Sequence, residues 1–216
     1  QGRLQEVATK RGVTVSSLPP VSTWAEVIEL DPRDARDLGP GCDQHVGGRD
    51  RARRAVFADD LDHDALWTII EPTARAGETW AIPRDWTRDD ALRYWRAPAH
   101  EAWVADRGTL GARDVVGTYF LRPAQLGPGS HVANAGYMVR PDAWGGGVAG
   151  AMCDHSIVRA RERGFSALQF NFVVSTNARA IALWERKGFR IIGRSPGAYM
   201  HAMLGAVDAV MMHRTL

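Results

Sequence analysis

The stretch "MVRPDAWGGGVAGAMCDHS", residues 138–156, leads from the end of an apolar strand through three consecutive glycines into a segment with helical periodicity. Because glycine has no Cβ, an anion can come close to the backbone amides of such a loop. The first amides of a helix lack intrahelical partners, and the helix dipole adds partial positive charge there. The stretch therefore predicts a helix whose open N-terminus can bind a phosphate group.

Two common phosphate-binding motifs do not fit this loop. No Lys-Ser or Lys-Thr pair follows the glycines, which excludes a P-loop. The spacing of Gly145, Gly147 and Gly150 satisfies G-x-G-x-x-G, but the next predicted strand, "SALQFNFVV", contains no acidic residue. A dinucleotide-binding fold requires one there. A glycine-rich turn without a ligand therefore stays open as an alternative on the motif alone.

Composition bounds the class of protein. The chain has 216 residues, 45% of them hydrophobic and 24% charged, which is enough apolar material for one domain with a core. A net charge of +2 gives no overall field that favours nucleic acid. The two cysteines, Cys42 and Cys153, form neither a disulfide framework nor a zinc site, so we expect no metal. Without a signal or membrane-spanning segment, we expect a cytoplasmic protein with no membrane partner.

The chain divides into two regions by composition. Residues 1–50 are rich in Gly, Pro, Asp and Ser and are predicted to be an N-terminal extension, partly loop. Residues 51–216 are predicted to form the domain. We interpret the basic run at this boundary as a solvated linker. It consists of Arg49, Arg51, Arg53 and Arg54.

Hydrophobic periodicity from about residue 54 predicts two helices, three strands, a helix, a strand, a helix and two strands. This order indicates a mixed α/β (α+β) domain. Thr87 and Asp90 form a capping-box-like helix start, and glycines at three positions are predicted to end helices: Gly77, Gly164 and Gly188.

Two linked blocks resemble the GNAT superfamily, the Gcn5-related N-acyltransferases. The family's Arg/Gln-x-x-Gly-x-Gly/Ala signature is matched by Gly147 and Ala149, with Trp144 in place of the usual Arg or Gln. A second block, "NARAIALWERKGF", matches the family's Asn-x-x-Ala…Tyr-x-x-x-Gly-Phe pattern, with Trp184 in place of the tyrosine. The resemblance covers residues from about 55 to 216. It implies a mostly antiparallel sheet flanked by helices, with two splayed central strands.

The resemblance also implies a donor site for acetyl-CoA or another acyl-CoA. The loop amides would bind the pyrophosphate, and the backbone of Met138 and Val139 would pair with the pantetheine arm. Asn177 would hydrogen-bond that arm, and Ala180 would leave room for it. The residues implied in donor binding are Met138, Val139, Trp144, Gly145, Gly146, Gly147, Val148, Ala149, Gly150, Asn177, Ala180 and Trp184.

The catalytic groups are less clearly indicated, because the two central strands contain no carboxylate and a tryptophan cannot supply a proton at position 184. The polar candidates between the strands are Asn134, Asn171, Tyr137 and His131. Amide side chains can position an acceptor, so Asn134 and Asn171 are predicted to do so. Capping of a strand bulge is their structural alternative. His131 can titrate near neutrality but can equally be a loop residue, and Tyr137 shares its face only without a bulge.

The stretch "GRSPGAYMHAMLGAVDAVMM" is predicted to connect the last two strands, and the resemblance implies that this connection borders the acceptor pocket. Tyr199, His201 and Asp208 are its candidate substrate-binding residues, although Asp208 can also be a cross-strand polar residue. The resemblance favours a small metabolite or an amino-acid-like molecule as acceptor, whose amine attacks the thioester directly. An amine of lowered pKa or a secondary amine would suit such a site.

Two further functions stay open. A GNAT-fold enzyme could take its acyl group from an aminoacyl-tRNA, in which case nucleic acid would be a partner and the basic run its contact. A non-catalytic module that retains the CoA site is the other, because the usual base and acid are missing. We also leave open whether the chain forms a homodimer.

Overall fold

The computed structural model describes residues 44–45, 54–58, 62–108 and 112–216. Its strands are β1 (Gln44–His45), β2 (Arg54–Phe57), β3 (Glu101–Asp106), β4 (Val115–Pro123), β5 (Val132–Val139), β6 (Ala167–Val174), β7 (Arg190–His201) and β8 (Gly205–Thr215). Its α-helices are α1 (His63–Ala76), α2 (Arg88–Trp95), α3 (Val148–Glu162) and α4 (Ala178–Arg186).

The strands form one sheet in the order β1-β2-β3-β4-β5-β6-β8-β7. Every neighbouring pair is antiparallel except β5 and β6, which run parallel. The helices lie in the connections between strands, as the alternating patterns predict. The predicted fold class, a mixed and mostly antiparallel sheet flanked by helices, is confirmed.

Helices cover both faces of this sheet. One buried cluster joins Leu66 and Ile69 of α1 to Trp95 of α2 and Phe120 of β4. The other joins α3 and α4 to the opposite face; its members include Met152, Ile157, Trp184, Leu121 and Phe170. Since side chains alternate along a strand, even-numbered residues of β5 face α1 and α2, and odd-numbered ones face α3 and α4.

The predicted helix ends are confirmed. Gly77, Gly164 and Gly188 follow α1, α3 and α4 with φ of 62°, 77° and 84°. These left-handed conformations suit glycine and stop a helix. At the start of α2, the Thr87 hydroxyl accepts a hydrogen bond from the Asp90 amide, while the Asp90 carboxylate accepts from the Thr87 amide. Both halves of the predicted capping box are therefore present.

The first two strands were missed by the sequence patterns. β1 pairs with β2, and β2 pairs with β3, so the sheet extends beyond the predicted three-strand start. The predicted boundary at residue 50 falls between β1 and β2. Residues 1–43 and 46–53, with most of the basic run, lie outside the described residues, so the division into extension and domain stays a prediction.

The predicted connection between the last two strands is wrong. β7 continues from Arg190 to His201, and only residues 202–204 separate it from β8. β7 is an edge strand with most of its side chains exposed, so it lacks the apolar alternation by which strands are recognised. Its register shifts between Ser195 and Tyr199, where Pro196 is tolerated because the ladder is already interrupted.

Candidate active site

A gap opens between β5 and β6. The two strands pair at three positions only, from Val132 opposite Ala167 to Asn134 opposite Gln169. Beyond them β5 continues beside β4, and β6 continues beside β8 with a register shift between Phe170 and Val173. The splayed central strands expected from the resemblance are therefore present.

The register of β5 determines which backbone groups face this gap. The amide of Arg140 donates to the carbonyl of Val116 (2.9 Å), and the amide of Ala124 donates to the carbonyl of Val132 (2.8 Å). Residues bonded to β4 alternate along an antiparallel ladder, so the even-numbered residues of β5 bond to β4. Tyr137 and Val139 therefore direct their N–H and C=O groups into the gap.

This register corrects one expectation about the donor site. Met138 and Val139 were both expected to pair with the donor through their backbones. Met138 lies opposite Thr118 of β4, its backbone faces that strand, and its side chain is buried under α1 and α2. Only Val139 of the two, together with Tyr137, presents backbone groups to the gap.

Two tryptophans contact these gap-facing carbonyls. The Trp80 indole N–H donates to the carbonyl of Tyr137 (3.2 Å), and the Trp144 indole N–H donates to the carbonyl of Val139 (2.9 Å). Trp80 comes from the connection between α1 and α2 and was not predicted as a site residue. Trp144 is 59% exposed beside the glycine loop, where it was expected. The two N–H groups of β5 remain directed into the gap.

The glycine loop leaves the start of α3 open. Gly147 is the N-cap residue, with φ of 77°, and no side chain caps the helix. The first intrahelical bond runs from Ala151 to Gly147, so the amides of Val148, Ala149 and Gly150 have no partner inside the helix. Gly145 adopts φ of 76° with nothing within 4 Å of an added Cβ. The predicted anion-binding geometry is present at this helix end.

A cationic cleft lies beside the same helix. Its volume is about 630 Å³, and its lining residues are Asp154, Arg186, Lys187, Gly188, Arg190, Arg214 and Thr215. The Lys187 side chain lies 3.7 Å from where a Cβ of Gly150 would stand, and its ammonium contacts Asp154 at 2.5 Å. Positive charge therefore adjoins the open helix end, which suits a phosphate-rich ligand.

Two residues of the block "NARAIALWERKGF" that were expected at the donor site, Asn177 and Trp184, have different surroundings. Asn177 caps α4, its side-chain oxygen accepting from the Ala180 amide (3.2 Å), which leaves its side-chain amide N–H groups for a ligand. Trp184, by contrast, is 7% exposed and packs against Tyr137 and Phe170 with ring centroids 5.0 Å apart. Trp184 was expected to line the donor site and instead belongs to the core, because its aromatic neighbours enclose it.

Neither Tyr137 of β5 nor His131, which precedes β5, directs its side chain into the gap. The Tyr137 hydroxyl shares a hydrogen bond of 2.6 Å with the Ser156 hydroxyl of α3, and burial raises the pKa of Tyr137 well above its ordinary value. His131 is exposed in the loop before β5, with its Nδ1 3.0 Å from the carbonyl of Pro128. The structure thus places neither side chain in the gap, and their catalytic role stays a prediction.

The two asparagines do lie on one face. Asn134 is 8% exposed, and its Nδ2 donates to the carbonyl of Gln169 (2.9 Å). Gln169 in turn donates to the Asn171 side-chain oxygen (2.8 Å). Arg122 of β4 lies opposite Asn134, with Nε 3.4 Å from its side-chain oxygen. We call Arg122, Asn134, Gln169 and Asn171 the polar row; it faces the side of α1 and α2.

Gln169 and Arg122 were not predicted from the sequence. Gln169 stands two residues before Asn171, so strand alternation would have placed it on the same face. Arg122 follows Phe120 at the same spacing, but only the register between β4 and β5 brings it beside Asn134. That pairing has no signal in the sequence.

The three candidates on the last hairpin have different surroundings. Tyr199 lies beside the gap. Its hydroxyl donates to the carbonyl of Trp80 (3.1 Å), and its ring centroid lies 6.2 Å from that of Phe172. His201 accepts the amide of Met203 through Nδ1 and so shapes the turn. Asp208 accepts from the Gly197 amide and from Arg194, and both bonds lower its pKa. These bonds connect Asp208 of β8 to β7, which agrees with the alternative of a cross-strand polar residue.

The described residues contain no group of His, Cys, Asp and Glu side chains placed to hold a metal ion. Among the same residues, none of the helices is long and apolar enough to cross a membrane.

Comparison with known proteins identifies the family. The chain is 38% identical to a GCN5-related N-acetyltransferase from Kribbella flavida, over 76% of this chain and 98% of that one, with a TM-score of 0.70. The structure of yncA from Salmonella typhimurium, solved with its cofactor acetyl-CoA, shares the fold at 21% identity and a TM-score of 0.65, over 76% of this chain and 94% of that one.

A curated relative matches over a shorter stretch. N-acetyltransferase aca1 of Schizosaccharomyces pombe is 32% identical over 79 residues, which is 37% of this chain and 38% of that protein. The chain thus matches well under half the length of this relative. The model of the acetyltransferase (GNAT) family matches residues 63–189, from the start of α1 to the residue before β7. The chain belongs to the acetyltransferase (GNAT) family.

Proposed function

We propose that this protein transfers the acetyl group of acetyl-CoA to the amine of a small metabolite. The observation that carries the proposal is the arrangement at the end of β5. The open N-terminus of α3 stands directly after the strand whose Tyr137 and Val139 backbones face the gap. A phosphate-rich donor at the helix end would therefore have its chain directed along β5.

The residues present fit such a donor. Amides of the glycine loop can bind a pyrophosphate, since no side chain caps the helix and the space beside Gly145 is open. The free amide of Asn177 and the backbone of Val139 can bind pantetheine amides. A donor N–H would replace the Trp144 indole at the Val139 carbonyl. The acetyl-CoA found with the Salmonella typhimurium protein supports this donor.

The acetyl transfer needs no carboxylate from β5 or β6. A neutral acceptor amine attacks the thioester carbonyl, and the new N–C bond gives a tetrahedral oxyanion. This oxyanion then collapses, the C–S bond breaks, and CoA leaves as a thiolate. The nitrogen loses its proton to water, and the thiolate takes one up from water. The N–H groups of Tyr137 or Val139 are placed to stabilise the oxyanion formed in between.

The acceptor would approach from the side of α1 and α2. Asn134 and Asn171 face that side, and Tyr199 closes it together with Trp80. Their fixed hydrogen bonds favour positioning of the acceptor rather than proton transfer, because an amide cannot act as a base. An acceptor whose amine is neutral at working pH, through a lowered pKa, suits this arrangement.

A titration of acetyl-CoA into the protein, followed by calorimetry, tests the donor site. We expect one binding site in the wild type. Gly150→Glu should weaken binding about tenfold or more, because it adds a carboxylate beside Lys187 at the helix end, where it would repel the pyrophosphate and neutralise that ammonium. Its own charge favours a helix N-terminus, so the fold should persist.

Gly150→Gln is the matched control, since it adds the same bulk without the charge. It should bind acetyl-CoA more tightly than Gly150→Glu. Absence of heat with the folded wild type, or equal affinity of Gly150→Glu and the wild type, would contradict the proposed donor site.

A further inference from the structure

Arg122 carries a charge that the protein leaves uncompensated. It projects from β4 on the same face as Phe120, beneath α2. It is half-buried, yet no carboxylate of the described residues lies within ion-pair distance of it. Its one hydrogen bond, of 3.4 Å, goes from Nε to the Asn134 side-chain oxygen.

The end of this guanidinium is also open. Among described residues, Arg88 Nε is the single buried side-chain nitrogen or oxygen without a partner. The two terminal nitrogens of Arg122, which make no protein hydrogen bond, therefore retain access to solvent. A half-buried cation gains most from an anion that can reach it, and a guanidinium fork matches a carboxylate with two parallel bonds.

Two titratable side chains that the Arg122 charge affects are held neutral. His100, the residue before β3, stacks on Phe120 with ring centroids 4.2 Å apart, and burial, together with the Arg122 charge, lowers its pKa to about 4. Burial raises the pKa of Tyr94, and the Arg122 charge opposes this shift. The hydrogen-bond partner of Arg122 is the neutral amide of Asn134.

We propose that Arg122 binds the carboxylate of the acceptor, which makes the acceptor an amino carboxylate rather than a simple amine or a protein lysine. This inference rests on the proposed function. With the carboxylate on Arg122, the amino group of the same molecule lies beside Asn134, on the strand that borders the gap. Arg122 then determines specificity and takes no part in the transfer of the proton.

Thiol release from acetyl-CoA with matched acceptor pairs tests this inference. The pairs are glycine with glycinamide, L-alanine with L-alaninamide and L-proline with L-prolinamide, so each pair differs by the carboxylate. The wild type should favour the carboxylate of each acceptor pair that it turns over. Arg122→Gln should lower kcat/KM for carboxylates about 10- to 100-fold, mainly through KM, since it removes a charge-assisted pair.

The same variant should leave kcat/KM for the carboxamides and the affinity for acetyl-CoA within about threefold of wild type. Arg93→Gln is the matched control, because Arg93 is an exposed residue of α2 that pairs with Asp90. Arg122→Lys keeps the charge and should retain part of the preference, which guards against loss of fold in the glutamine variant.

The outcomes separate the two proposals. Equal use of carboxylates and carboxamides by the wild type, or an unchanged preference in a folded Arg122→Gln, would overturn the role of Arg122 and leave the acetyltransferase proposal standing. Failure of the wild type to bind acetyl-CoA would remove the proposed function itself.

Discussion

His100 is held neutral at the edge of the acceptor face. Its Nδ1 lies 3.3 Å from the carbonyl of Trp95, and its ring stacks on Phe120 and makes an edge-to-face contact with Tyr94. Burial is the main cause of its lowered pKa of about 4, and the charge of Arg122 adds to it. A neutral imidazole there avoids a second positive charge beside Arg122.

This environment predicts a loss of stability in acid. The unfolded chain takes up a proton on His100 near its ordinary pKa of about 6.5, whereas the folded protein does so only near 4. The contribution of His100 to the free energy of unfolding is therefore fully present above about pH 6.5. It falls by about 3 kcal/mol as the pH drops to 4.

Urea unfolding of the wild type and of His100→Asn between pH 7 and 4 measures this effect. The variant should lose less stability over that range. Part of the loss should remain, because burial lowers the pKa of His155 in the same direction. Parallel pH curves for the two proteins would contradict the account.

At the level of elements, the connection between α1 and α2 forms one wall of the acceptor side. Trp80 from this connection packs on Trp95, with ring centroids 5.3 Å apart, and bonds to the backbone of β5. It fits because Gly136 has no side chain: an added Cβ would stand 2.4 Å from the Trp80 ring and 2.9 Å from Phe120. Gly136 thus sets how closely this wall approaches the gap.

Gly136→Ala should accordingly destabilise the protein by about 1–3 kcal/mol, since two packed aromatic rings must move. Gly193→Ala is the matched control: its Cβ would stand 2.5 Å from Met211, but from the terminal methyl of a flexible side chain. Thermal unfolding should show a clear loss of stability for the first variant and a smaller one for the second. Equal losses would contradict a rigid Trp80 wall.

The sequence predicts some elements better than others for physical reasons. α1, α3 and α4 have periodic apolar faces and glycine ends, so their bounds follow from local patterns. β7 has neither feature, because an edge strand exposed on both faces needs no alternation. The same reason explains why the partners of Asp208 were not foreseen, because Arg194 and Gly197 belong to the part of β7 that was predicted to be a connection.

The site was predicted only where it depends on local geometry. The open helix end follows from glycines adjacent in the chain, and Asn134 and Asn171 follow from two recognisable strands. The sequence alone does not determine whether Trp184 faces the gap or the core. Its packing against Tyr137 and Phe170 places it in the core. Arg122 and Trp80 reach the site through tertiary contacts that no local pattern encodes.

Over the whole molecule, the sheet separates the two proposed substrates. The glycine loop, Asn177 and the cationic cleft lie with α3 and α4, whereas the polar row and Tyr199 lie on the side of α1 and α2. The gap between β5 and β6 is where the two sides meet, because the strands pair at three positions only. Such a division allows a donor and an acceptor to enter from opposite faces.

Thiol release from acetyl-CoA in the presence of small amines, with the amide product identified by mass, tests this account most directly. We predict one amide formed for each thiol released, and a kcat/KM about tenfold or more lower in Asn171→Ala, because that residue positions the acceptor. Binding of acetyl-CoA without thiol release in the presence of any amine would contradict the account and leave a binding module in its place.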